Sequence, residues 1–230
     1  MSDLAEIDVV AGIPIYSVKG DPKSFLFKAG MMIDCDGSPR AYGPEDSGID
    51  YTANGGNDEG GGSAAWWGGP VDSNGYPVKQ AIYDPYPGMY VSGTALINPL
   101  YDEDSPYRYS DAESIPFIVL PGKHNNGAKL GDVCFCYNTK TEDNCYGIYA
   151  DIGPSGKLGE ASMRMASALK INNDPKHGGT ESQVIAYLVF PGSVGKWSPP
   201  AQWFQLADKL FSQWGGFTRL KGLLDELVSK

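Results

Sequence analysis

Two carboxylates, Asp151 and Glu160, stand at the ends of one linker that holds three glycines and a proline, Ile152-Gly153-Pro154-Ser155-Gly156-Lys157-Leu158-Gly159. An apolar, strand-like run from Tyr146 to Ala150 delivers the first acid, and a helix-like run from Ser162 to Lys170 follows the second. Glycoside hydrolysis uses such a pair across a cleft: one carboxyl protonates the leaving oxygen while the other activates water or attacks directly. Local physics alone also accounts for these residue types, since Asp and Gly build turns and Glu favours a first helical turn.

A second acidic group comes earlier. Ser24 to Ile33 reads as a strand whose end delivers Asp34 and Asp36 to one side, because side chains alternate along a strand. The Asp34-Cys35-Asp36-Gly37 run could open a calcium loop, but the acceptor that closes an EF-hand is missing. Cys35, Cys134, Cys136 and Cys145 lack paired C-x-x-C spacing, and only His124 and His177 could help them, so neither a metal nor another cofactor is expected. Cys136 and Cys145 would meet across a hairpin through Asn138 to Asn144, either as a disulfide or as free buried thiols.

The elements that must position these groups are mostly strands. Thirty glycines and 17 prolines break the chain into short pieces and leave little room for helices before the last third. Ile7 to Val18 reads as one or two strands, Lys19 to Pro22 as a turn, and Ile115 to Leu120 as a strand buried on both faces, since it is apolar without alternation. Val78 to Tyr83 and Met89 to Ile97 are strand-like, Asp132 to Tyr137 pairs with Tyr146 to Asp151 in a hairpin, and Ser182 to Phe190 is the last strand. Gly43 to Gly75 is a long polar loop carrying Trp66 and Trp67, and Asp102 to Glu113 is a charged surface loop. After Ser193 the pattern changes: Pro199-Pro200 opens one amphipathic helix, Gly215-Gly216 breaks it, and a second follows. The expected fold is therefore α+β, mainly β: a β-rich domain over 1–193, with a helix after Glu160, and a helical hairpin over 194–230 packed on it.

Composition narrows the partners. At 230 residues and 41% hydrophobic, the chain can bury a substantial core. Its net charge of −10 argues against nucleic acid and anionic membrane surfaces and suits a polycationic partner. No run approaches the ~20 apolar residues of a membrane span, and the acidic start, Met1 to Asp8, shows no secretory signal.

Read with its neighbours, the linker region resembles the signature of the chitosanases of glycoside hydrolase family 75, A-D-x-G-P followed by G-E-A-S, here Ala150 to Pro154 and Gly159 to Ser162. A second block, Met32 to Pro44 continuing through Gly48 to Tyr51, resembles the same family. Gly131-Asp132 and Val189 to Ser193 add to the likeness, which spans about Phe25 to Ser193. The Asp-x-Gly-Pro pattern also resembles double-psi β-barrel proteins at the level of fold. The resemblance implies a barrel core of that kind and inverting endo-hydrolysis of the β-1,4 bonds of chitosan, with Asp151 and Glu160 catalytic. Chitosan and its oligosaccharides are then the partners, the chain is expected to be a monomer, and its action to be extracellular. Within that reading Asp34 and Asp36 face the sugar amines, and Tyr42 and Arg40 shape the wall. Trp66, Trp67 and His124 are further candidate substrate contacts, packing onto the barrel being the other use of the two indoles.

The helix start favours an ionised Glu160 as base, and the apolar run before Asp151 favours a protonated acid, with Asp36 an alternative base. Two other readings fit the same features. One is a non-catalytic, expansin-like carbohydrate-binding barrel, and the other is a lytic transglycosylase acting on peptidoglycan.

Overall fold

In the computed structural model, which describes residues 2–228, the chain opens with three antiparallel strands, β1 (Leu4–Val10), β2 (Ile13–Val18) and β3 (Asp21–Asp34). Ala11 and Gly12, with φ of 50° and 78°, supply the two left-handed residues of a hairpin turn matched to strand twist. There follow α1 (Thr52–Gly55), β4 (Phe117–Pro121), β5 (Val133–Asn138), β6 (Asn144–Gly153) and β7 (Glu160–Ser162). Then come α2 (Met163–Ala168), β8 (Thr180–Val189), α3 (Pro200–Trp214) and α4 (Gly216–Val228). The sheet order is β1-β2-β3-β7-β4-β6-β5-β8, and β8 pairs back onto β3. Six strands, β3, β7, β4, β6, β5 and β8, thereby close into a barrel. Within it β3–β7 and β4–β6 run parallel, and the remaining pairs run antiparallel. The protein is α+β and mainly β, with a barrel at its centre and helices at its C-terminal end.

Alternation along the strands divides the apolar residues between two clusters. Ile118, Leu120, Cys134, Cys136, Ile185 and Tyr187 lie in one. Phe117, Val119, Val133, Phe135, Ala186 and Leu188 lie in the other, together with residues of α3 and α4. Two helices cannot enter a six-stranded barrel, so the first cluster is its interior and the second covers its outer face. All five residues of β4 are buried, as a strand enclosed on both faces requires. The helical hairpin shares this outer core: the rings of Phe135 and Phe211 stack with centroids 3.8 Å apart, and Trp214 Nε1–H donates to Ser24 Oγ at 3.0 Å. No helix among the described residues is long and apolar enough to cross a membrane.

Several expectations change. Val78 to Tyr83 and Met89 to Ile97 are not strands and meet only through the single bridge Lys79↔Tyr90. The Gln80 amide takes over part of the pairing by donating to the carbonyls of Pro39 and Tyr90, in a stretch crowded with prolines. Part of the charged loop is internal: Ser110 and Ala112 are buried, held by hydrogen bonds from Ser110 to Thr94 Oγ1 and Leu96 O. The helix expected over Ser162 to Lys170 shrinks to Met163–Ala168, capped by Ser162 Oγ, which accepts from Met165 N. Cys136 and Cys145 do face each other in the β5–β6 ladder, yet all four thiols are free.

Candidate active site

A β-bulge aims Asp151. Ile118 of β4 pairs with Tyr149 of β6, but the next residue, Val119, pairs with Asp151, so Ala150 is inserted. In regular register Asp151 would sit beside Leu120 and face the barrel interior. The extra residue turns it to the outer face beside Val119 instead. The bulge is tied down from outside by Leu96 N, which donates to Ala150 O, and by Ala95 N, which donates to Asp151 Oδ1, both at 2.8 Å.

Glu160 reaches the same row from the other side. It opens β7, paired with Val119 of β4 and Met32 of β3. Its approach depends on Gly159, at φ 89°, whose carbonyl accepts from Met32 N; a Cβ there would lie 2.8 Å from Ala29 Cβ and 2.9 Å from Gly30 O. The expected helix start at Glu160 is thus corrected. The residue lies in a strand, and the helix begins only after the Ser162 cap. Burial instead raises the pKa of Glu160, with the positive charge of Lys157 opposing.

β3 brings Asp34 to the outer face two residues beyond Met32, and the following turn brings Asp36 beside it. Oxygens of Asp34, Asp36 and Asp151 all lie within 4.8 Å of one another, and Glu160 stands outside that triplet. Asp34 Oδ1 accepts from Asp36 N at 2.7 Å, and Tyr42 Oη donates to Asp36 Oδ1 at 2.7 Å. Burial, reinforced by the neighbouring carboxylates, pushes Asp34 and Asp36 well above the ordinary carboxylate range. Asp151 is pushed up to about 6, chiefly by burial, against the backbone N–H donors of Ala95 and Ile152. Three carboxyls this close share protons instead of ionising together. The same oxygens are also the donor type that a hard divalent cation accepts.

These groups line a cleft of about 920 Å³. Among the described residues six acidic ones line it (Asp34, Asp36, Asp50, Glu103, Asp151 and Glu160) against one lysine, Lys157. Asp50, Glu103, Tyr109 and Lys157 were not among the sequence candidates. Glu103 and Tyr109 belong to the loop that charge alone assigns to the surface, and Asp50 lies in the second family-like block. The tryptophan pair divides. Trp66 is fully buried, edge-on to Tyr42 and Tyr90, and belongs to the core of the 35–114 segment. Trp67 is 66% exposed on the cleft wall, its Nε1–H donating to Asn54 O at 2.9 Å.

Two expected contacts lie elsewhere. Arg40 pairs with Glu113, Nε to Oε2 at 3.1 Å, and packs over the Tyr86 ring, so it braces the loop and does not line the cleft. His124 Nδ1 is 2.8 Å from Asp8 Oδ2 of β1 and also does not line the cleft. Its role is to fasten the 123–127 turn to the first strand. No model of a protein family matches the chain, and no curated protein is significantly similar to it.

Proposed function

We propose that this protein is an endo-acting glycoside hydrolase that cleaves β-1,4 glucosamine linkages of chitosan, with Asp151 as the acid and Glu160 as the base. The observation that carries the reading is the placement of two raised carboxyls on either side of Val119, in an outer-face cleft where, among the described residues, acidic ones outnumber lysines six to one. Two strand spacings separate their Cα atoms, roughly 9–10 Å, and the proposed inversion requires the two carboxyl groups to lie about 6.5–9.5 Å apart with a water between them. Asp151 belongs to the crowded triplet and holds its proton into the mildly acidic range, as an acid must. Glu160 lies outside that triplet; Lys157 favours its ionised form against burial, and its charge in turn helps hold the proton on Asp151. Asp34 and Asp36 then pair with sugar amines, and Trp67 offers its indole face to a pyranose ring.

We read the barrel as double-psi in type, on the strength of its two parallel pairs within a closed sheet of six strands. The expansin-like alternative gives no reason for a bulge that turns one acid outward. Peptidoglycan cleavage by a single acid gives none for the ring of carboxylates.

The test uses charge. Initial rates are measured on chitosan of graded acetylation and at rising ionic strength. The reading expects kcat/KM to fall as free amines are lost and to fall several-fold between 20 and 200 mM salt, because exposed charge attraction is screened at about 10 Å or less. Rates indifferent to both, or higher on fully acetylated polymer, overturn the assignment of a cationic substrate.

A further inference from the structure

A second cavity, about 610 Å³, lies beside the cleft, and nothing in the account so far uses it. Consecutive residues divide the two hollows. Pro70 and Glu103 line the cleft, whereas Val71 and Asp104 line the cavity. The two hollows therefore adjoin at the backbone segments 70–71 and 103–104. In the cavity Tyr76 is 49% exposed. Its ring is seated against Gly60, where an added Cβ would stand 3.1 Å from Cε1, so one side of the ring is held and half of the residue remains open to a ligand.

The acids around this ring are fixed in different ways. Tyr90 Oη donates to Asp58 Oδ2 at 2.7 Å, and Asp72 Oδ1 accepts from the backbone N–H groups of Asn74 and Tyr76. Asp104 is exposed where the two hollows adjoin. The one cation lining the cavity, Lys79, lies 5.9 Å from the Tyr90 ring centroid.

We propose that this cavity is a distal subsite that takes a cationic aminosugar ring of a polymer laid across the 70–71/103–104 junction. Tyr76 supplies the stacking surface, and Asp104 and Asp72 supply acceptors for the ammonium group. The inference rests on the glycoside hydrolase reading and extends it: the substrate is a chain long enough to occupy cleft and cavity together.

Wild type, Tyr76→Ala, Asp104→Asn and Lys79→Ala are assayed on glucosamine oligomers of increasing length, and each is checked for folding by circular dichroism. The wild type is expected to gain kcat/KM sharply once the oligomer spans the junction. Tyr76→Ala should cut the ratio of long-oligomer to short-oligomer kcat/KM by about tenfold, and Asp104→Asn, an exposed charge, by about two- to fivefold. Lys79→Ala, which removes the competing cation, should raise it. Tyr83→Ala, an exposed aromatic outside both hollows, should leave it as it is. Equal losses at every length, or no loss at any, overturn the subsite while leaving hydrolysis intact. A folded wild type that cleaves no glucosamine oligomer overturns the hydrolase reading and the subsite with it.

Discussion

Asp151 and Glu160 are both raised by burial, but their neighbours differ, and that difference sets the pH behaviour. Asp151, in contact with Asp34 and Asp36, is pushed up to about 6 by burial and by the charge of Glu160, so its acid form is the major one only below that pH. The expected kcat/KM profile therefore falls above pH 6, by about tenfold per unit further on, as the acid loses its proton. Asp151→Asn removes that limb along with most of the activity, and a profile flat from pH 5 to 8 in the wild type contradicts the assignment. At this scale the sequence was informative where the chemistry is local. Asp34, Asp36, Asp151 and Glu160 reach the cleft because each lies in a strand or within two residues of its end, and Tyr42 joins them through its hydrogen bond to Asp36. It was uninformative where contact depends on long-range folding. Nothing in the Trp66-Trp67 dipeptide says which indole is buried, and Glu103 looks solvated until Tyr109 Oη donates to its backbone carbonyl and holds the turn against the cleft.

At the scale of elements, the site depends on one inserted residue and one three-residue strand. Deleting Ala150 removes the bulge: Asp151 then follows Tyr149 directly and stays opposite Val119, but the carbonyl that accepts from Leu96 N is lost, and with it the tie that sets Ala95 N against Asp151 Oδ1. The variant is expected to lose about tenfold or more in activity and to melt below the wild type, since Leu96 N is left without its acceptor and the 95–96 segment no longer positions the Asp151 carboxyl. Activity retained by the deletion variant contradicts the role given to the bulge, and thermal melting with a polymer assay decides it. Strands β3 through β6 and β8 were legible because each is an apolar run bounded by turn residues. β7 was not. Three residues carry no periodicity, and Glu160–Ser162 is a strand only because β3 and β4 pair with it from both sides. The same pairing delays the helix to Met163 and leaves Glu160 in a strand. Val78 to Tyr83 failed in the opposite direction: β-prone residues alone did not make a strand where neither neighbour offers a ladder.

For the molecule as a whole, acids clustered for catalysis weigh against stability at neutral pH. A carboxyl whose folded pKa is raised binds more protons folded than unfolded, so stability falls as pH rises from the unfolded value toward the folded one. For Asp151 that window runs from 3.8 to about 6, and the shift corresponds to on the order of 3 kcal/mol. Asp34 and Asp36, raised well above the ordinary range, extend it upward. Glu113, lowered by its hydrogen bond to Arg40, acts in the opposite sense, but only below its ordinary value of 4.5. The melting temperature is thus expected to be roughly 5–10 °C higher at pH 5 than at pH 7.5, with a smaller difference in Asp36→Asn; calorimetry that finds the protein more stable at pH 7.5 contradicts the shared-proton cluster. The central claim is tested most directly by reducing-end release from soluble chitosan at pH 5, comparing wild type with a Glu160→Gln variant shown to be folded. Release by the wild type that falls at least a thousandfold in the variant, roughly 4 kcal/mol of transition-state stabilisation, is the result predicted. Equal release by both, or none from a folded wild type, would contradict it.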